Sequence, residues 1–257
     1  MHPKMLGGIP DRTVLSKTQV VNGFLRLIPD RRRVAIVGHR GWPTRYPDNT
    51  LSGLIAASDV ADLVEIDVRR SRDGKLILSH DPEIQGHVVS ATTWAELSEI
   101  DLGDMHHPAL LDEALAALPN TPVQMEVKNL PFEPGFEPDH RLALEAAERA
   151  RPGDIVTGFN PETLLVVRKI FPEVPTGLVV PAGAYLMEAV DQCLDVGHRA
   201  LVPDHSLLTG PVNAEIALYP WTVNTPGRAR ELVEFGVTGI ITDDPGLIRE
   251  TIRGEET

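Results

Sequence analysis

A single cysteine, Cys193, stands among the 257 residues, so an intrachain disulfide and a thiolate metal cluster are both excluded. Its position inside a helical stretch marks it as a small core residue. No run of about 18 apolar residues occurs, so no transmembrane segment is expected. The N-terminus also lacks the basic-then-apolar order of a secretory signal, and a cytoplasmic protein is the expectation. The Gly-x-Ser-x-Gly elbow, the Walker A loop, Gly-x-Gly-x-x-Gly and His-Glu-x-x-His are all missing, which closes the usual serine-hydrolase, P-loop, dinucleotide and zinc-protease routes. Internal repeats and low-complexity linkers are missing too, so nothing suggests a solenoid or a chain of modules.

Positive charge is scarce and unevenly placed. The formal net charge is -13, yet residues 1–33 carry Lys4, Arg12, Lys17, Arg26, Arg31, Arg32 and Arg33 against only Asp11 and Asp30. The remainder is therefore strongly acidic, which disfavours nucleic acid as a partner. Such a body needs local cations or a metal if it is to handle phosphate.

The length suits one (β/α)₈ TIM barrel, a fold that takes about 250 residues. We read a single barrel domain over residues 34–257, preceded by a basic segment, 1–33. Strand-like runs at 34–37, 63–68, 122–128, 154–159, 176–180, 200–202, 217–223 and 239–242 alternate with helical runs. The helices are expected from Leu51 to near Ser58, capped by Asp48 or Asn49, and at 110–118, 139–150, 161–170, 184–196, 207–216 (weaker), 226–235 and 245–253. A doubly wound open sheet is the runner-up. In the N-terminal segment Val14, Thr18, Val21, Leu25 and Ile28 fall on one stripe, giving an extra helix that covers the bottom of the barrel. A basic helix on a membrane or dimer surface is the sharper alternative, and a homo-oligomer stays open.

Parallel α/β proteins deliver side chains at the C-terminal ends of their strands, so the run Val34-Ala35-Ile36-Val37-Gly38-His39-Arg40-Gly41 presents His39 and Arg40. Glu65 and Asp67, two apart on the second strand, leave one face roughly 6.6 Å apart, and Glu126 and Lys128 repeat the spacing on the neighbouring strand. Facing carboxylates repel unless a divalent cation joins them, and oxygen ligands suit Ca²⁺ or Mg²⁺. Asp73-Gly74 reads as a two-residue hairpin turn. That register sets His80 opposite Asp67, with Cβ atoms about 4.5–5.5 Å apart, unless a bulge shifts it by one. Two imidazoles that titrate near neutrality beside such a cluster can act as acid and base. The set has the makings of a metal-assisted phosphoryl-transfer site. His2, His87, His106, His107, His140 and His198 read as mostly solvated, and His205 as non-catalytic.

With these residues in place, the chain resembles the glycerophosphodiester phosphodiesterase family over roughly residues 34–250. His39-Arg40-Gly41, Pro47-Asp48-Asn49-Thr50, Glu65-Ile66-Asp67-Val68, Asp73-Gly74, His80-Asp81, Glu126-Val127-Lys128, Trp221-Thr222-Val223-Asn224 and Gly239-Ile240-Ile241-Thr242-Asp243 fall in the family's order. Asp48, Ser71 and Gly158-Phe159 depart from its usual residues, and the insertion of longer members is abbreviated in residues 82–108.

The resemblance implies a TIM barrel that hydrolyses glycerophosphodiesters, small molecules of glycerol and lipid metabolism, to sn-glycerol 3-phosphate and an alcohol. It implies one divalent cation, Ca²⁺ or Mg²⁺, on Glu65, Asp67 and Glu126, and His39 and His80 as the acid/base pair. Arg40 and Lys128 would neutralise phosphoryl charge, and the glycerol 2-hydroxyl would attack phosphorus to give a cyclic phosphate that water opens. Trp221 would be a wall against the glycerol carbons or an ordinary core aromatic. One alternative is a lysophospholipase D-type lipid phosphodiesterase, which needs an exposed apolar rim that the loops do not show in sequence. A second is a catalytically silent barrel that binds phosphorylated ligands. A glycosidase would need neither the two histidines nor Lys128.

Overall fold

The computed structural model describes residues 33–212 and 215–254, so the helix expected from Val14 lies outside the described residues. The chain opens with β1 (Ala35–Gly38), α1 (Leu51–Ser58) and β2 (Leu63–Arg70). A hairpin returns along β2 as β3 (Leu76–Leu78), and the following excursion holds a small ribbon, β4 (Glu83–Ile84) and β5 (His87–Val88), and a single turn of helix, α2 (Trp94–Leu97). Regular alternation then sets in with α3 (Leu111–Ala117), β6 (Val123–Val127), α4 (Arg141–Glu148), β7 (Ile155–Gly158) and α5 (Pro161–Ile170). It ends with β8 (Thr176–Val180), α6 (Leu186–Val196), β9 (Ala200–Pro203), β10 (Ala217–Leu218), α7 (Pro226–Glu234), β11 (Gly239–Thr242) and α8 (Pro245–Arg253).

Eight parallel strands follow the order β10-β9-β8-β7-β6-β2-β1-β11, with β3 antiparallel on β2. The ladder lapses between β10 and β11 because Pro220 has no N–H to donate. Single hydrogen bonds close the seam instead: Thr238 N donates to Leu218 O at 2.9 Å, Ile241 N to Pro220 O at 3.0 Å and Val223 N to Ile241 O at 2.9 Å. The result is a (β/α)₈ TIM barrel, as the sequence predicts. The strand expected at 217–223 is correspondingly cut to two residues, and Trp221 sits beyond it in an isolated bridge to Asp204.

Strand parity sorts the core into two layers. Ala35, Val37, Leu63, Ile155, Val179, Ala200, Val202, Tyr219 and Ile241 pack together inside the barrel, while Ile36, Val64, Ile66, Met125 and Val156 face the helices. Cys193 is a buried part of that outer layer. Because Leu63 points inward, so do residues 65, 67 and 69 of the same strand.

Three local expectations are overturned. Among the described residues the helix expected at 207–216 is absent: a short 3₁₀ turn at His205–Leu207 is followed by Gly210 and Pro211, which cannot continue it. Helix α1 is capped by Thr50 rather than Asp48 or Asn49, the Thr50 hydroxyl accepting from Gly53 N. His198 is buried rather than solvated; its Nδ1 lies 2.8 Å from Thr176 Oγ1, and burial, aided by Arg168, pushes its pKa down to about 4.

Candidate active site

The chain leaves β1 through a sharp turn at the C-terminal mouth of the barrel. His39 N donates to Thr242 O at 2.9 Å, and Arg40 and Gly41 then adopt positive φ of 51° and 91°. A Cβ on Gly38 would lie 2.6 Å from the Gly41 carbonyl oxygen, so this turn requires glycine there. The turn aims the Arg40 amide at Glu65, donating to Oε2 at 2.8 Å. Asn49, itself at φ 59°, donates its amide to Arg40 O. Its side chain then clamps Asp67, Nδ2 donating to Oδ2 at 2.9 Å and Oδ1 accepting from the Asp67 amide at 3.1 Å.

On the inward stripe of β2, Glu65 and Asp67 meet Glu126, which pairs with Asp67 in the parallel register of β2 and β6. One oxygen from each of the three carboxylates lies within 4.8 Å of the others, and all three side chains are buried. Lys128 reaches into the group, its Nζ 2.9 Å from Asp67 Oδ1 and also bonded to Glu126 Oε1. Arg40 Nε lies 3.2 Å from Asp67 Oδ2, and its Nη1 donates to Asp48 Oδ2 at 3.1 Å.

These partners divide the carboxylates. Burial alone would raise Asp67, but Lys128 and Arg40 overcome it and bring the carboxyl down to about 2. Burial likewise opposes the charge on Lys128, yet Glu126 and Asp67 raise the ammonium above its ordinary value. Among the described residues Glu65 has no such cation in contact: burial first, then Asp67 and Glu126, hold its carboxyl well above the usual range. Its Oε1 is buried and, among the same residues, has no hydrogen-bond partner. An unpaired carboxylate oxygen beside two further carboxylates is a donor set fitted to a hard divalent cation.

The histidines flank this cluster, each with Nδ1 on a carboxylate. His39 Nδ1 lies 2.6 Å from Asp243 Oδ1, and Asn224 fixes that aspartate in turn, donating from Nδ2 to Oδ2 at 2.6 Å and accepting the Asp243 amide at 2.9 Å. Burial opposes ionisation of Asp243, but His39 and Asn224 hold its carboxyl below the ordinary range. His80 Nδ1 lies 2.8 Å from Asp81 Oδ1 in a more exposed setting. An ionised carboxylate in that position favours the tautomer with the proton on Nδ1 and the lone pair on Nε2.

The hairpin register differs from the one expected. Val68 pairs with Leu78 and Arg70 with Leu76, so Asp67 stands opposite Ser79, not His80. The cause is a three-residue loop, Arg72–Asp73–Gly74, closed by Ser71 N donating to Lys75 O at 2.9 Å, with Gly74 at φ 83°. His80 nevertheless stays beside the cluster, because the chain leaves the strand after Leu78; a charge on its ring helps hold the Asp67 carboxyl down. Trp221 packs edge-to-face on Phe159 with centroids 5.8 Å apart and donates from Nε1 to Val202 O at 3.0 Å. Phe159 in turn lies 5.7 Å from Lys128 Nζ, so this aromatic pair borders the same mouth.

Fold and cluster together define a TIM-barrel protein whose mouth is fitted to a divalent cation. The chain belongs to the glycerophosphoryl diester phosphodiesterase family, whose model matches residues 39–247. It is 26% identical over 245 residues to a glycerophosphodiester phosphodiesterase of Caldanaerobacter subterraneus subsp. tengcongensis, covering 86% of this chain and 98% of that protein. In fold it is similar to a putative glycerophosphoryl diester phosphodiesterase from Silicibacter pomeroyi, with a TM-score of 0.78 at 22% identity over 91% of this chain and 98% of the other. It is also similar to an Oleispira antarctica phosphodiesterase, whose structure holds the product sn-glycerol-3-phosphate, with a TM-score of 0.74 at 21% identity over 89% and 98% of the two chains.

Proposed function

We propose that this chain hydrolyses glycerophosphodiesters to sn-glycerol 3-phosphate and an alcohol at the mouth of its barrel. The observation that carries the reading is the buried triad Glu65, Asp67 and Glu126, with an orphaned Glu65 oxygen and two cations alongside, in a member of this family. Glu65, Asp67 and Glu126 hold one divalent cation, Ca²⁺ or Mg²⁺, which when bound supplies electrostatic stabilisation of charge on the phosphoryl oxygens. Arg40 and Lys128 take up the rest of that charge. One of His39 and His80 accepts the proton of the attacking glycerol 2-hydroxyl while the other donates a proton to the departing alcohol, and with the two roles reversed water then opens the cyclic phosphate to sn-glycerol 3-phosphate. Their carboxylate partners keep Nδ1–H turned away, so Nε2 faces the reacting atoms. Trp221 and Phe159 line the apolar side against the glycerol carbons.

The test is release of sn-glycerol 3-phosphate from glycerophosphocholine, glycerophosphoethanolamine and glycerophosphoinositol, with Ca²⁺, with Mg²⁺ and with excess chelator. Metal-dependent release from at least one is expected; no release from any of the three would end the reading.

A second reading, a lysophospholipase D-type activity, gains from an observation that sequence did not offer. Met105, Phe132 and Tyr185, 80%, 99% and 75% exposed, stand on separate loops at the C-terminal side of the barrel. A groove of about 510 Å³ on that side is lined by Tyr185, Met187, Leu207 and Val212 together with the polar Glu188 and Thr209. Release of choline from lysophosphatidylcholine faster than from glycerophosphocholine would favour it.

A further inference from the structure

We infer that Arg69 is a positioning residue for His80 and couples that histidine to the loop after β6; the inference rests on the acid/base role proposed for His80. Arg69 ends the inward stripe that begins with Glu65 and Asp67, and it is 4% exposed. The last rung between β2 and β3 is Ser79 N donating to Asp67 O at 3.1 Å, so the ladder stops one residue short of His80 and leaves the His80 carbonyl without a strand partner. Arg69 supplies the missing donors, Nε at 3.0 Å and Nη2 at 2.6 Å from His80 O. Two donors from one planar group fix the tilt of that peptide as well as its position, and the ring it carries is thereby aimed.

The same guanidinium reaches the other way. Nη2 also donates to Glu133 Oε2 at 2.7 Å. Glu133 belongs to a tandem, Phe132-Glu133-Pro134 and Phe136-Glu137-Pro138, whose second glutamate accepts from Arg70 Nε at 2.6 Å. Consecutive arginines at the end of β2 thus seat the two halves of one loop. Pro134 and Gly135 of that loop share a small cavity with Lys128, so the clamp lies against the cation that touches Asp67 and Glu126.

The test uses the metal-loaded full-length enzyme with Arg69→Lys, which keeps the charge and loses the fork. We expect kcat to fall by roughly 10- to 100-fold, the scale of a small misplacement of a reacting group, while KM and the melting temperature stay close to wild type. In ¹H–¹⁵N spectra the ring signals of His80 should shift or broaden while those of His39 do not. Unchanged kcat, or unchanged His80 ring signals, would overturn the assignment. Glu133→Gln, which leaves the fork on His80 in place, should perturb the His80 ring less than Arg69→Lys; it keeps the idea testable if the lysine variant does not fold, since a His80 ring identical to wild type would then count against the coupling. A wild-type protein inactive on every glycerophosphodiester defeats the functional reading instead, and the ring signals still decide the positioning claim.

Discussion

His39 and Asp243 meet at 2.6 Å across the seam where the first and last barrel strands pair, although 204 residues separate them in sequence. The contact favours the His39 tautomer with its proton on Nδ1. Asp243→Asn keeps the size but removes the charge, and its amide can hold the wrong tautomer. We expect kcat to fall by roughly 10²-fold with KM little changed, part of the range of about 10²–10⁴ that general acid–base catalysis supplies. His39→Ala and His80→Ala should each lose that full range while the far-ultraviolet circular dichroism stays that of the wild type. Near-normal turnover in either histidine variant would remove it from the acid/base pair.

Cation binding and pH should be linked through Glu65. Its carboxyl is held well above the ordinary value of 4.5 because it is buried and faces Asp67 and Glu126. A raised folded value means that the stability from this group is present below the unfolded value and is lost as pH rises toward the folded one. In chelator, this part of the stability should therefore decline above about pH 4.5. Ca²⁺ or Mg²⁺ should raise the melting temperature, more at alkaline than at acid pH, and release a proton on binding. Titration calorimetry in two buffers of different ionisation enthalpy counts that proton, and a melting curve indifferent to excess EDTA would argue against the site.

Lys128→Met should show the cost of stranding buried carboxylates. Lys128 bridges Asp67 and Glu126 and is 5% exposed. Removing one partner of a buried pair costs about 3–5 kcal/mol, and because Asp67 keeps Arg40 and Asn49 we expect the lower part of that range in urea unfolding. Glycerol phosphate release should be lost even where the variant remains folded.

Asn49 invites a paired substitution. Its backbone is left-handed, so Asn49→Gly removes only the two bonds to Asp67, whereas Asn49→Ala removes them and adds backbone strain. Alanine should therefore be the less stable by about 1 kcal/mol in chemical unfolding, with both variants impaired in metal affinity. Equal stabilities would mean the strain is relieved elsewhere.

The barrel was readable because its strands are short, apolar and regularly spaced, and Glu65, Asp67, Glu126 and Lys128 because a period of two places them on one face. What escaped depends on contacts no spacing encodes. Asn49 reads as a helix cap but reaches across to Asp67, and Thr50 caps instead. Asp243 and Asn224 meet His39 only because the barrel closes. Arg69 did carry a signal, its parity with Glu65 and Asp67, though not one that names its partner. The hairpin register turned on a single extra loop residue, Arg72, and the helix expected at 207–216 on two residues, Gly210 and Pro211, that outweigh the apolar pattern around them.

The inward parity of β2 also constrains how this chain can change over time. Inserting or deleting one residue directly after Leu63 would swing positions 65, 67 and 69 together toward the helices and swap Ile66 and Val68 into the mouth, dismantling the carboxylate cluster and the clamp in one event. The excursion from Asp81 to Leu110 bears no such frame, because it rejoins the barrel at α3 without contributing to its cylinder of strands. New specificities should therefore arise by lengthening or rewriting that excursion, leaving the eight residues of β2 as a fixed ruler.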